Sequence, residues 1–192
     1  MFAYLEGNLT YKSPSVLYMD VHGVGYELQI TLQTYAVIQP LINCRLYTHL
    51  QVREDAWVLY GFADEEERHT FRQLLNINGV GAATARIILS SLNTGELERA
   101  VSGEDNKTLE RVKGIGGKTA QRIILELKGK LQKPKNTSAS APVVHNTMQE
   151  DALIALVNLG INRNVAESAI KKIDTASSLT VEELIKQALR AL

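Results

Sequence analysis

A single cysteine, Cys44, excludes an internal disulfide and a cysteine-built metal cluster. The four histidines, His22, His49, His69 and His145, are scattered without metal-ligand spacing, so no metal and no cofactor is expected. No apolar run approaches the ~20 residues that a membrane helix needs. The opening stretch MFAYLEGNLTY lacks the basic-then-apolar pattern of a secretory signal, and the expected setting is cytoplasmic. Net charge is absent too: Lys plus Arg and Asp plus Glu number 21 each, so global charge names no partner. No Ser/His/Asp or Cys/His set accompanies a pocket signal, and no catalytic residue is assigned. The segment GIGGKT, residues 114–119, resembles the end of a phosphate-binding P-loop. That motif needs a glycine where Val112 stands and a strand where a helix is expected, so no ATPase is expected in this chain.

What is present divides along the chain. Apolar residues make up 45%, enough for a packed core. Up to about Phe62, Val, Tyr, Leu and Thr are frequent and alternate, as in SVLYMDVHGVGYELQI, with HGVG a turn or bulge between strands. About five strands in so short a stretch suggest a small closed barrel. NCRLYTHLQV and AWVLYGF flank a turn that carries two adjacent acids, Glu54 and Asp55. At Asp64, an N-cap candidate followed by three acids, the period becomes helical. Residues 132–147, QKPKNTSASAPVVHNT, read as a flexible linker. Capping boxes opening at Thr147 and Thr180, and Gly160 as a stop, outline three short C-terminal helices. The expected architecture is therefore β then α in four parts. They are a barrel over 1–63, a helical domain over 64–132, a flexible linker over 133–147 and a small three-helix module over 148–192.

The helical domain contains a repeat. LLNINGVGAATARIIL, residues 74–89, aligns with LERVKGIGGKTAQRII, residues 109–124, pairing Gly79 with Gly114, Val80 with Ile115, Gly81 with Gly116 and Thr84 with Thr119. Each copy is a helix, a Gly-apolar-Gly turn and a second helix. The glycines permit a sharp turn and leave the backbone bare. The apolar residue between them locks the turn to the core. The amides that follow are the unpaired donors of a helix N-terminus, a ready phosphate site. This is a tandem helix-hairpin-helix, the arrangement for sequence-independent DNA binding through the backbone. The candidate DNA-binding residues are Asn78, Gly79, Val80, Gly81, Ala82, Ala83 and Thr84 in the first copy. In the second they are Lys113, Gly114, Ile115, Gly116, Gly117, Lys118, Thr119 and Arg122. Charge supports this: residues 109–135 hold eight basic residues against two acids. Lys118 and Arg122 lie four apart on one helix face, opposite a stripe of Ala120, Ile123, Ile124, Leu127 and Leu131 expected to be buried. The C-terminal module, with five basic and six acidic residues from Met148 on, suits a protein partner better than DNA. Its candidate partner-binding residues are Leu153, Leu156, Leu159 and Ile161.

VHGVGYE, VREDAWVLYGF, INGVG, VKGIGGKTAQRII and DALIALVNLGINRNVAESAI, in this order, resemble the RuvA family of bacterial Holliday-junction-binding subunits over essentially the whole chain. The resemblance implies an OB fold for the barrel and a homotetramer, or an octamer of two tetramers sandwiching one junction. It implies hairpin motifs on the duplex arms and a C-terminal module that docks on RuvB, a separate hexameric ATPase, with the RuvC resolvase in the same complex. It also gives Glu54 and Asp55 a role. From the residues alone they read as ordinary solvated turn acids; in the family such acids form pins at the junction crossover. One departure stands out: family members often carry a lysine just after the first hairpin, where this chain has Ala82 and Ala83. Arg86 is a candidate to compensate.

Two rival readings remain at this level. A helix-hairpin-helix repair enzyme would need a catalytic Lys or Asp beside a base pocket, or a carboxylate metal cluster. A general single-strand binder would expose aromatics on its strands. Tyr26, Tyr47, Trp57 and Tyr60 are interleaved with aliphatics in a way that suits a barrel core instead.

Overall fold

The structure is a computed structural model that describes residues 2–128, 148–173 and 180–191. It divides into two compact units, residues 1–135 and 136–192. The expected 133–147 linker, Thr147 of the first capping box, Leu131, Lys130, Lys133, Lys135 and Leu192 lie outside the described residues.

Five strands close a barrel: β1 (Tyr4–Lys12), β2 (Val16–Val21), β3 (Val24–Ile30), β4 (Asn43–Val52) and β5 (Trp57–Phe62), in the order β1-β2-β3-β5-β4. All pairs are antiparallel except β3 with β5. This is an OB-like barrel. The long β1 serves both sides of it, pairing with β4 through residues 4–8 and with β2 through residues 8–12. The bend needs Gly7, where a Cβ would stand 2.1 Å from the carbonyl oxygen of Asp20. The HGVG segment is a tight turn. His22 and Gly23 both have positive φ, 52° and 87°, as a two-residue hairpin that matches strand twist requires, and the Asp20 carboxylate accepts from the Gly23 amide at 2.9 Å. Leu17, Met19, Leu28, Ile30 and Leu46 fill the barrel.

A seven-residue helix, α1 (Leu32–Ile38), follows β3 and was not expected. Thr34, Tyr35, Val37 and Ile38 are residues that favour a strand; Thr31 caps the helix, accepting from the Thr34 amide at 3.0 Å.

The helical domain holds α2 (Glu65–Leu75), α3 (Ala82–Ser91), α4 (Thr94–Ser102), α5 (Asn106–Glu110) and α6 (Gly117–Leu127). Asp64 caps α2 as expected, accepting from the Glu67 amide at 2.7 Å. Its core takes Phe71, Leu74, Ile88, Leu97, Leu109 and Ile123, and also Tyr60 and Phe62 from β5. Successive β5 side chains point to opposite faces, so Leu59 fills the barrel while Tyr60 and Phe62 reach the helices. The expectation that Tyr60 belongs to the barrel core is thus corrected: one strand is shared by two cores. The domains are further tied by Glu67, whose buried carboxylate accepts from Thr34 Oγ1 at 2.6 Å and from Thr31 Oγ1.

The second unit has α7 (Met148–Asn158), α8 (Arg163–Lys171) and α9 (Val181–Arg190). Ala152, Leu156, Ala166, Ala169, Ile170, Leu184 and Ala188 form its core, and the Thr180–Glu183 capping box is present.

Candidate nucleic-acid interface

The two hairpins are built alike, residue for residue. In the first, α2 ends in two tight turns. The Ile77 amide donates to Leu74 at 3.1 Å and the Val80 amide to Ile77 at 3.0 Å; Gly79 has φ +92°. In the second, the Val112 amide donates to Leu109 and the Ile115 amide to Val112, both at 3.0 Å, and Gly114 has φ +90°. That left-handed conformation favours glycine, because a Cβ would crowd the following carbonyl. Val80 and Ile115 are buried in the shared helical core, as their role of locking the turn requires.

Gly81 and Gly116 differ from their partners. They cap α3 and α6 with extended φ of −87° and −93°, which any residue adopts. A Cβ at either would meet nothing within 4 Å. Neither backbone strain nor internal packing calls for glycine there, so what the missing side chain clears is access from outside. Neither cap supplies a side-chain hydrogen bond, so the first amides of α3 (Ala82, Ala83, Thr84) and of α6 (Gly117, Lys118, Thr119) remain donors at a positive helix end.

The site residues predicted from sequence fall into three groups. Asn78, Gly79, Gly81, Ala83, Lys113, Gly114, Gly116, Gly117, Lys118 and Arg122 are exposed; Thr84 and Thr119 are half-buried. Val80, Ile115 and Ala82 turn their side chains into the core, so only their backbone can face a ligand. The repeat aligns Ala83, not the buried Ala82, with Lys118, and Ile87 with Arg122. Lys113 in turn aligns with Asn78, so the first hairpin lacks all three cations of the second.

Three features of this surface escaped sequence reasoning. Arg122 on α6 donates from Nη1 to the carbonyl oxygen of Asn78 at 3.0 Å, joining the second hairpin to the turn of the first across 44 residues. Arg86 does not make up the first hairpin's missing charge: Nη1 donates to the Ser15 carbonyl at 3.2 Å and to Gln29 Oε1, holding α3 to the barrel. Glu110 lies against the second hairpin, with Oε1 3.2 Å from where a Cβ on Gly117 would be. No local pattern announces contacts made by long polar side chains across such separations.

The acidic turn lies between β4 and β5. The last paired residues are Val52 and Trp57, and the loop of residues 53–56 is closed by the Arg53 amide donating to Ala56 at 2.9 Å. Glu54 and Asp55 are exposed at its tip. Trp57 is 76% exposed, against the expectation of a core position. Its alternation is that of an inward residue, sharing a face with buried Leu59, but the strand has passed the barrel rim, where there is no core to enter.

In the second unit, Leu156 is fully buried between α7, α8 and α9, which removes it from the candidate partner surface. Leu153 and Ile161 are half-buried and Leu159 is 65% exposed. Ile154 and Val157, three apart on α7, are also exposed. They were missed because a short helix gives little periodicity from which to tell its two sides apart. Among the described residues no group of three His, Cys, Asp or Glu side chains could hold a metal, and no helix is long and apolar enough to cross a membrane.

Comparison with known proteins matches three family descriptions in sequence. RuvA N terminal domain covers residues 1–61, SAM-like helix-hairpin-helix tandem residues 71–130, and RuvA, C-terminal domain residues 147–192. Among similar curated proteins, one from Cytophaga hutchinsonii is 43% identical over 197 residues, covering 99% of this chain and 99% of its own. One from Amoebophilus asiaticus is 46% identical over 193 residues (99% and 100%), and one from Leptothrix cholodnii 46% over 194 residues (100% and 99%). Each is named Holliday junction branch migration complex subunit RuvA.

Proposed function

The chain belongs to the RuvA family, and we propose that it is the non-catalytic DNA-binding subunit of a branch-migration complex. In this role it recognises the four-way junction, holds it open and recruits a RuvB-type ATPase. The observation that carries the proposal is the pair of matching hairpins, each offering uncapped helix amides beside an exposed, sterically open glycine. Such sites grip phosphate without reading sequence. A junction has four duplex arms, so a homotetramer of such chains, or two tetramers face to face, satisfies its symmetry. We assign DNA contact to the amides of residues 82–84 and 117–119 and to Lys113, Lys118 and Arg122. Residues 64–132 carry this surface and residues 1–63 carry the acidic turn.

Glu54 and Asp55 then act by repulsion. Carboxylates a few Å from phosphate disfavour duplex lying across the centre, most strongly at the reduced effective dielectric of a crowded interface. Affinity comes from the hairpins, and preference for a junction over a linear duplex comes from the acids. Residues 148–192 serve as the motor-docking module through Leu153, Leu159 and Ile161, joined by Ile154 and Val157, with residues 133–147 as the tether. A RuvC resolvase shares the complex.

The test is binding of the purified chain to a synthetic four-way junction, a linear duplex and a single strand, with the mass of each complex recorded. Strong junction preference with four or eight chains per junction is expected. Equal binding to linear duplex by a monomer would overturn the proposal.

A further inference from the structure

We propose that Trp57 is a base-stacking platform: its indole takes the face of an unpaired nucleobase at the junction crossover, beside the acidic turn. This rests on the junction-binding function proposed above and assigns a ligand to a side chain outside it.

Tryptophan is rarely left so open in a folded protein, and here 76% of it is exposed. Directly across the hairpin, its strand partner Val52 is 60% exposed. Opposite residues of an antiparallel pair project on the same face, so the indole and the isopropyl group form one apolar step at the root of the turn. The next pair inward on this face, Leu50 with Leu59, packs in the barrel. The step is thus a continuation of the core face beyond the rim, held by the paired strands and by the closed turn. Its position is preset, so little ordering is needed when a planar ligand arrives.

The neighbouring charges select the ligand. Glu54 and Asp55 are exposed, and neither has a hydrogen-bond or ion-pair partner among the described residues. Two carboxylates repel a phosphate backbone, but carboxylates accept hydrogen bonds from base edges such as the cytosine N4 amine. An aromatic face beside such acceptors fits a base and disfavours the strand's backbone. Stacking on an aromatic is tolerant of sequence because every base has a π-face, which suits a crossover that moves along DNA. In a duplex the bases are stacked on one another and no face is free; strands separated at a crossover offer one.

The chain has one tryptophan, so its emission reports this residue alone. The experiment titrates the intact protein with a four-way junction and with linear duplex. It follows Trp57 emission together with binding by anisotropy of labelled DNA, and repeats both with 2-aminopurine beside the crossover. The expected result is quenching by the junction that duplex does not reproduce, with 2-aminopurine emission lower in the wild-type complex than with Trp57→Ala. For a junction mismatched at the crossover, Trp57→Ala weakens binding about fivefold, the low end for a stacked base, and Trp57→Phe restores most of it. Trp57 is outside both cores, so these variants fold. Junction-preferring binding with unchanged Trp57 emission and equal 2-aminopurine signals would overturn the stacking assignment and leave the junction function standing. An emission shift that grows with protein concentration before DNA is added would mean that a second copy covers the indole, and would also overturn it. Equal binding to junction and duplex would remove both.

Discussion

Arg122 Nη1 lies 3.0 Å from the carbonyl oxygen of Asn78, so a side chain of the second hairpin holds the turn of the first. The guanidinium is exposed and keeps further donors for phosphate. It therefore couples the spacing of two phosphate sites to its own contact with DNA. Arg122→Ala is expected to cost about 1 kcal/mol of folding stability, as loss of one charge-assisted surface hydrogen bond does. It is also expected to flatten the log–log salt dependence of DNA binding by about 0.9, one phosphate contact. Chemical denaturation and binding at stepped salt check the two effects; an unchanged slope would leave Arg122 a purely structural link.

The two hairpins are unequal in charge. Lys118→Ala is expected to flatten the salt slope by about 0.9. Ala83→Lys is expected to steepen it by a similar amount, because the repeat aligns this exposed position with Lys118. Ala82→Lys behaves differently: its side chain has no accessible surface, and a lysine there overpacks the core by about 1–3 kcal/mol before any cost of burying charge. If Ala83→Lys leaves the slope unaltered, the first hairpin does not approach phosphate.

Gly79 and Gly81, two positions apart on either side of Val80, separate folding from binding. Gly79→Ala places a Cβ at φ +92° and is expected to destabilise by about 1–2 kcal/mol. Gly81→Ala meets open space at an ordinary φ, so the melting temperature stays near that of wild type while DNA affinity falls as the methyl group blocks the amides. The same split is expected between Gly114 and Gly116. Thermal melts beside DNA titrations decide it; a Gly81→Ala protein that melts normally and binds normally would place the phosphate elsewhere.

Replacing the turn acids together, Glu54→Gln with Asp55→Asn, is expected to raise affinity for linear duplex more than for the junction. Both side chains are exposed, so folding is unaffected. A competition between labelled junction and excess duplex measures the ratio, and discrimination equal to wild type would return these residues to the status of ordinary turn acids.

Glu67 predicts a pH effect on stability. Burial pushes its carboxyl above the ordinary 4.5, against the opposing pull of the Thr31 and Thr34 hydroxyls. A raised folded value means that the folded state holds the proton more tightly than the unfolded chain. The resulting stabilisation is complete below about 4.5 and is lost as pH rises through the folded value. Glu67→Gln, neutral at every pH, is expected to lack this decline. Urea midpoints at stepped pH from about 4 upward compare the two proteins, and parallel curves would show that Glu67 does not titrate in this window.

Much of the candidate site was legible because its chemistry is local. The period-35 repeat, the Gly-Val-Gly and Gly-Ile-Gly turns and the basic stretch around Lys118 lie within short windows, and positive φ at Gly79 and Gly114 follows from the turn itself. The Asp64 and Thr180 caps were legible for the same reason. Helix α1 was not, since its β-branched residues lean toward a strand, and burial of Ile38 in the barrel core with Thr34 bonded to Glu67 decides otherwise.

Taken alone, the sequence determined that a strand-rich segment precedes two helical hairpins and a short helical module, because hydrophobic period and turn chemistry act over a few residues. The tertiary structure decided which of those residues are available. It buried Ala82 and Leu156, left Trp57 beyond the rim of the barrel, took Arg86 into the contact between α3 and the barrel and joined Arg122 to Asn78. Exposure and long-range hydrogen bonding depend on where an element ends against its neighbours, and that geometry exists only once the chain has packed.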